Sequence, residues 1–144
     1  MKLEIVTPEK KAFEDEVDQV TLTTTEGQIT VLPHHIPVFT QLASGEIVAK
    51  KAGKEALLAS GGGFAEITGD KVSVLTDLAD RPEEIDEKKV EEAKKRAEAA
   101  MKEKHLLSEE EFAATAAALE KALAQLKIKH RRRPATTLKT ETSL

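Results

Sequence analysis

The chain has no cysteine, no tryptophan and no tyrosine, and only four phenylalanines and four histidines among 144 residues. Without cysteine there is no disulfide framework and no thiolate chemistry. With so few aromatic rings, a platform for stacking nucleic-acid bases is hard to build. The net charge of −4 also withholds the basic face that a phosphate-backbone binder needs. No apolar run approaches the roughly 18 to 20 residues needed to cross a bilayer. The opening segment MKLEIVTPEKK has no apolar signal-peptide core. These absences predict a soluble protein, most simply a cytoplasmic one. Apolar residues still make up 40% of the chain, enough to bury the core of one domain, or of a small domain with an appendage.

Up to about Asp80 the apolar residues recur with the period of strands. KLEIV alternates, with Leu3 and Ile5 on one face. VDQVTLTTTEGQITVL reads as a hairpin turning at Glu26-Gly27, with Val20, Leu22 and Thr24 on one face of its first strand and Ile29 and Val31 on one face of its second. Further hairpins turn at Ala52-Gly53-Lys54 and at Gly69-Asp70. Short strands at this spacing predict an antiparallel β-sandwich or barrel.

From Asp86 to Lys129 glycine and proline are absent, and alanine, glutamate and lysine dominate. This is helical composition. Asp86 is the predicted N-cap of a first helix, with Ile85 and Val90 as its hydrophobic staple. Ser108 and Glu111 form a capping box for a second, with Leu107 and Phe112 as its staple. The short break between them makes the helices antiparallel neighbours. Val90, Ala93, Ala97, Ala100 and Met101 stripe the first helix; Phe112, Thr115, Ala116, Leu119, Ala122, Leu123 and Leu126 stripe the second. At about 0.8 kcal/mol per methylene-sized group, an alanine seam holds weakly. Such a hairpin suits either permanent packing or an arm that docks and undocks. Pro134 is predicted to end the second helix. The expected division is a β-sandwich over residues 1–84, an antiparallel two-helix hairpin over 85–130 and a flexible tail over 131–144.

Chemistry is harder to find. SGGGFAE lacks the spacing of a phosphate loop and leads into a strand, so its glycines predict a kink or a close backbone approach. His34 and His35 in PHHIP are adjacent in extended chain and point to opposite sides, which argues against a shared metal. The carboxylates sit in turn and helix-face contexts where solvation is the usual explanation. No catalytic residue and no metal ligand is assigned. The cluster Lys127, Lys129, Arg131, Arg132 and Arg133 meets the negative end of the second helix. It also suits an acidic partner surface.

The order of features is more specific than any one of them. EGQITVLPHHIPVFTQL, then GGGFAEITGDKVSVLTDLADR, then an alanine-rich helical hairpin resembles the epsilon subunits of F-type ATP synthases, counterparts of the mitochondrial delta subunit. The resemblance spans about residues 2–129. It implies a non-catalytic rotor subunit with a ten-stranded β-sandwich. Its partners would be the gamma subunit and the ring of c subunits, with the catalytic alpha and beta subunits met when the helices extend and inhibit ATP hydrolysis. It implies that Gln28, His34 and His35 lie in loops facing the c-ring, and that Lys127, Lys129, Arg131, Arg132 and Arg133 form the inhibitory contact. It also implies peripheral attachment at the cytoplasmic face of a bacterial plasma membrane, or the stromal face of a thylakoid, and no nucleic-acid partner.

Two departures stand out. The related run often has glycine where this chain has Thr30 and His34. Some relatives bind ATP through an [I/L]-D-x-x-R-A motif; here IDEKKV keeps Ile85 and Asp86, while Lys89 and Val90 replace arginine and alanine. Lysine retains charge but loses the bidentate fork. With Lys121 on the second helix, this implies at most a weak regulatory ATP site and no resident cofactor. The rival readings are a free-standing β-sandwich interaction module with a helical dimerisation hairpin, and a small-molecule sensor.

Overall fold

The computed structural model describes the backbone of residues 1–142 and the side chains of residues 1–131. Ten strands come first: β1 Lys2–Val6, β2 Lys11–Glu16, β3 Gln19–Thr24, β4 Gly27–Val31, β5 Val38–Leu42, β6 Gly45–Lys51, β7 Lys54–Ser60, β8 Gly63–Ile67, β9 Lys71–Thr76 and β10 Ala79–Asp80. A short 3-10 turn, Pro82–Glu84, leads to α1, Glu87–Lys102, and α2, Glu109–Thr142.

The strands hydrogen-bond in the order β10-β7-β6-β3-β5-β8-β9-β1-β2, with β4 also on β3. β3 and β5 share the single pair Thr24 with Leu42. The sheet folds over at that corner into the two layers of a sandwich. Between the layers lie Leu3, Ile5, Val20, Leu22, Val31, Ile47, Leu58, Ile67, Val72 and Val74, all essentially without solvent exposure. These are the alternating positions that the period-2 pattern marks. One ladder departs from the antiparallel expectation: β1 runs parallel to β9, Leu3 beside Val72 and Ile5 beside Val74. A parallel pair needs a long crossover. Here everything from β2 to β8 supplies it, so no local sequence signal marks it.

The glycine run does admit a close backbone approach. A side chain at Gly63 would collide with the Leu75 carbonyl and the Thr76 backbone across the β8–β9 ladder. At the sandwich edge, ion pairing with Lys11 holds the Glu14 carboxyl below its ordinary range. A hydrogen bond from Lys51 does the same for Asp15 and ties β6 to β2.

Asp86 caps α1 by accepting from the Lys89 N–H at 3.3 Å. Ser108 and Glu111 close the capping box on α2 in both directions, at 3.1 and 3.3 Å. The helices pack against each other, and α2 also packs on β6 and β7. Ile85, Val90, Ala122, Leu126, Ile128 and Ala59 form a second apolar cluster, separate from the sandwich core. The stripe predicted for α2 needs correction. Phe112 and Leu123 are exposed, whereas Ala124 and Ile128 are buried. A helix lying on both a partner helix and a sheet buries two faces, so a one-face period misassigns it. α2 also continues past Pro134, where the sequence predicts its end. An interior proline loses one hydrogen bond and crowds the preceding turn, but its φ is compatible with helix.

Candidate functional site: an apolar sheet face, a left-handed loop and a docked hairpin

The outer face of the β5-β8-β9 layer is uncovered. Phe39 and Phe64 stack there with ring centroids 5.5 Å apart, and both are exposed, as is Leu75 on the neighbouring strand. An apolar groove of about 430 Å³, lined by Val6, Pro8, Gly63 and Leu75 among others, continues this face. Two of the four phenylalanines in the chain are thus spent on this one solvent-facing surface. A contiguous exposed apolar patch of this kind marks a protein-binding surface.

The loop after β4 is shaped by a single turn. His35 N–H donates to the Leu32 carbonyl at 3.2 Å, and His34 has φ of 67°. Proline second and a positive φ third is the pattern of a type II turn, which favours glycine at the third position. His34 N–H also donates to the Gly69 carbonyl at 2.8 Å, anchoring the loop to the β8–β9 turn. The His35 ring is engaged locally, its Nδ1 2.7 Å from the Ile36 carbonyl oxygen. The loop shows the exposed His34 to solvent together with two large apolar side chains: Leu32 is 54% exposed and Ile36 73%. The sequence points to the histidines and misses these two neighbours; their cue is an apolar residue on either side of a proline-bounded turn. Gln28 is exposed but lies beside the β3–β4 turn, opposite Thr23. Four residue steps, about 13 Å, separate it from Leu32. We expect His34→Gly to stabilise the fold by about 1 kcal/mol, since glycine removes the left-handed penalty. Urea denaturation checks this; a destabilised variant contradicts it.

On the opposite outer face lies the hairpin. β6 and β7 carry near-continuous apolar runs because both their faces are covered: Ile47, Ala49 and Leu58 by the sandwich core, Val48, Leu57 and Ala59 on the helix side. Polar contacts frame this dock. Lys121 pairs with Asp77, Gln125 donates to Asp80 at 2.9 Å and Lys129 donates to the Pro82 carbonyl at 2.9 Å. Arg131 meets Glu46 at 2.6 Å, and Lys127 lies 4.0 Å from the same carboxylate. Three of the five basic residues singled out by sequence therefore face the protein's own sandwich. The side chains of Arg132 and Arg133 lie outside those described.

The residues of the degenerate nucleotide motif come together only in part. Ile85 is buried in the apolar cluster and Asp86 caps α1. Lys89 is exposed and Lys121 is engaged by Asp77. Among the described residues, Glu87, Glu91 and His130 bring ligand-type atoms within 4.8 Å of one another. His130 already lies 2.7 Å from Glu87, a contact that ties α2 to α1.

A sandwich with one open apolar face, an apolar loop and a helical arm clipped to its other face is a protein-interaction subunit. Residues 1–82 match the family described as ATP synthase, Delta/Epsilon chain, beta-sandwich domain. Residues 83–129 match the corresponding long alpha-helix domain. The chain is 45% identical over 136 residues to the ATP synthase epsilon chain of Dehalococcoides mccartyi, covering 92% of this chain and 94% of that one. It is 41% identical over 128 residues to the epsilon chain of Geobacter sulfurreducens, with 89% and 92% covered. A chain of the Euglena gracilis mitochondrial ATP synthase structure, OSCP/F1/c-ring, superposes with a TM-score of 0.72 at 28% identity, over 87% of this chain and 78% of that one. A chain of the Tetrahymena thermophila mitochondrial ATP synthase central stalk and c-ring shares the fold, with a TM-score of 0.58 at 16% identity over 90% and 96% of the two chains. The protein belongs to the ATP synthase delta/epsilon chain family.

Proposed function

We propose that this chain is a non-catalytic rotor subunit of an F-type ATP synthase. Its sandwich binds the gamma subunit, and the loop after β4 meets the c-ring. Its helical hairpin restrains ATP hydrolysis when it leaves the sandwich and its basic end reaches the catalytic subunits. The observation that carries the reading is the uncovered β5-β8-β9 face, where Phe39, Phe64 and Leu75 are spent on an apolar surface that only a partner would bury. Leu32 and Ile36 serve the ring in the same way, by apolar contact rather than through the histidine rings. Attachment to the membrane is peripheral and through the complex; among the described residues no helix is long and apolar enough to cross a bilayer. The membrane face is the cytoplasmic one in a bacterium, or the stromal one in a thylakoid. No nucleotide is needed: Lys121 is taken by Asp77, Gln125 by Asp80, and the lysine-for-arginine change at Lys89 weakens any phosphate grip. A dimerising module is not favoured, since both parts of the chain match the delta/epsilon family; within the chain, Ala122, Leu126 and Ile128 of the α2 stripe are buried, while Phe112 and Leu123 stay exposed.

The partner face is tested by Phe39→Ser and Phe64→Ser in one chain. Aromatic anchors at interfaces contribute about 2 kcal/mol or more each, so affinity for the gamma subunit should drop about 30-fold for one ring and toward about 1,000-fold for both. The melting temperature should hold, because both rings are solvent-exposed in the isolated chain. Undiminished binding by calorimetry would place the gamma subunit elsewhere.

A further inference from the structure

Glu46 is the one charged residue within the run Glu46–Ala49 that α2 and the core bury between them. It pairs in register with Ala59, which has no solvent exposure, and both are on the side of the sheet that α2 covers. Its side chain is only 9% exposed. Its two oxygens face two cations of α2: Arg131 Nη1 at 2.6 Å from Oε2 and Lys127 Nζ at 4.0 Å from Oε1. Lys127 and Arg131 are four residues apart, on one helix face.

A covered carboxylate without a cation is strongly disfavoured. A slip of α2 by one residue would carry Lys127 and Arg131 off this face and leave Glu46 under apolar cover unpaired. When α2 departs altogether, the carboxylate returns to water and the penalty vanishes. With the carboxylate covered and Arg131 40% exposed, the intact pair matters less for what it adds than for what its loss costs: a wrong register, or removal of one partner, leaves a covered group unpaired. That is the behaviour of a reversible latch. The apolar contacts of Leu126 and Ile128 supply the attraction, and Glu46 decides where and whether they engage.

We propose that Glu46 is a latch residue that sets the docked population of the hairpin by acting as an intramolecular stand-in for an acidic protein surface. Lys127 and Arg131 are free for a partner's carboxylates only after they have exchanged Glu46 for them. This rests on the reading above that the basic end of α2 engages an acidic partner, but the latch itself belongs to the isolated chain.

The test is hydrogen exchange on the full-length protein. Glu46→Gln keeps the shape and removes the charge. Amides of Ala122–Arg131 should exchange about tenfold faster, the scale of a lost charge-assisted hydrogen bond. Amides of Leu3, Ile5 and Val74 should be unchanged, showing that the sandwich is intact. Arg131→Gln should match it, and the double variant should fall short of the product of the two single effects, as partners in one contact do. Raising sodium chloride to about 0.5 M should move the wild type only part of the way toward the variant, because a half-covered pair is screened less than an exposed one. Unchanged or slower exchange in Glu46→Gln, or single effects that multiply independently, would overturn the latch. In the reconstituted enzyme, Glu46→Gln should lower ATPase activity. Faster α2 exchange with unaltered ATPase activity would uphold the latch and remove the inhibitory reading instead.

Discussion

A chain ending at Ile85 is expected to join the complex normally and to raise the ATPase rate of the reconstituted enzyme roughly fivefold or more, the scale of a typical coupling between sites. The sandwich core is complete without the helices: among the described residues, none of α1 or α2 belongs to it. The surfaces assigned to gamma and the c-ring, Phe39, Phe64, Leu75, Leu32 and Ile36, lie on the face and loop away from the hairpin. Truncation uncovers Val48, Leu57 and Ala59 on β6 and β7, an apolar strip that adds some aggregation tendency but breaks no ladder. Two measurements decide: gamma binding by calorimetry and ATP hydrolysis of the assembled enzyme. Hydrolysis at the wild-type rate would remove inhibition from the role of the hairpin. Loss of gamma binding would show that the sandwich alone is not the docking domain.

The second large effect concerns the same equilibrium from inside. Ile128 has no solvent exposure and sits against Ile85, Leu126 and Ala59 at the junction of α2 with the sheet. Ile128→Ala removes buried methylenes at a cost of about 2–4 kcal/mol. The rest of the α1–α2 contact is rich in alanine, with Ala97 and Ala122 buried beside Val90. A deficit of that size should shift the docked-to-undocked ratio by about 30-fold to 1,000-fold, at about 1.4 kcal/mol per factor of ten. α2 amides should then lose protection while those of β1 and β9 keep theirs, and inhibition of the enzyme should deepen. Simultaneous loss of protection in helix and sandwich would mean that the two fold as one cooperative unit, which would exclude a separable arm.

How these two elements were legible differs. The sandwich core could be read directly: Leu3, Ile5, Val20, Leu22, Val72 and Val74 alternate because a strand turns successive side chains to opposite faces. The helix starts were legible too. Asp86, Ser108 and Glu111 act within one turn of themselves, and the caps form as their spacing predicts. The resemblance carried by EGQITVLPHHIPVFTQL and the segments after it agrees with the family matched across residues 1–129. The histidine pair was legible as a loop, but the extended backbone expected there is instead a tight turn with His34 left-handed. That His34 takes a left-handed backbone follows from the Gly69 carbonyl that receives its N–H, 35 residues further along the chain.

The chain alone, then, determined where strands, turns and helix caps fall, because those depend on side-chain period and on contacts within a few residues. Tertiary structure decided the rest. It put β1 parallel to β9, turned Phe39 and Phe64 outward as a stacked pair, and carried Ala124 and Ile128 of α2 onto the sheet. It also brought Arg131 to Glu46 across 85 residues of sequence. A charge in an apolar strand and a charge at a helix end are each ordinary when read singly. Their meaning arises only when folding removes water from between them, since a buried carboxylate must have its cation and an exposed one need not.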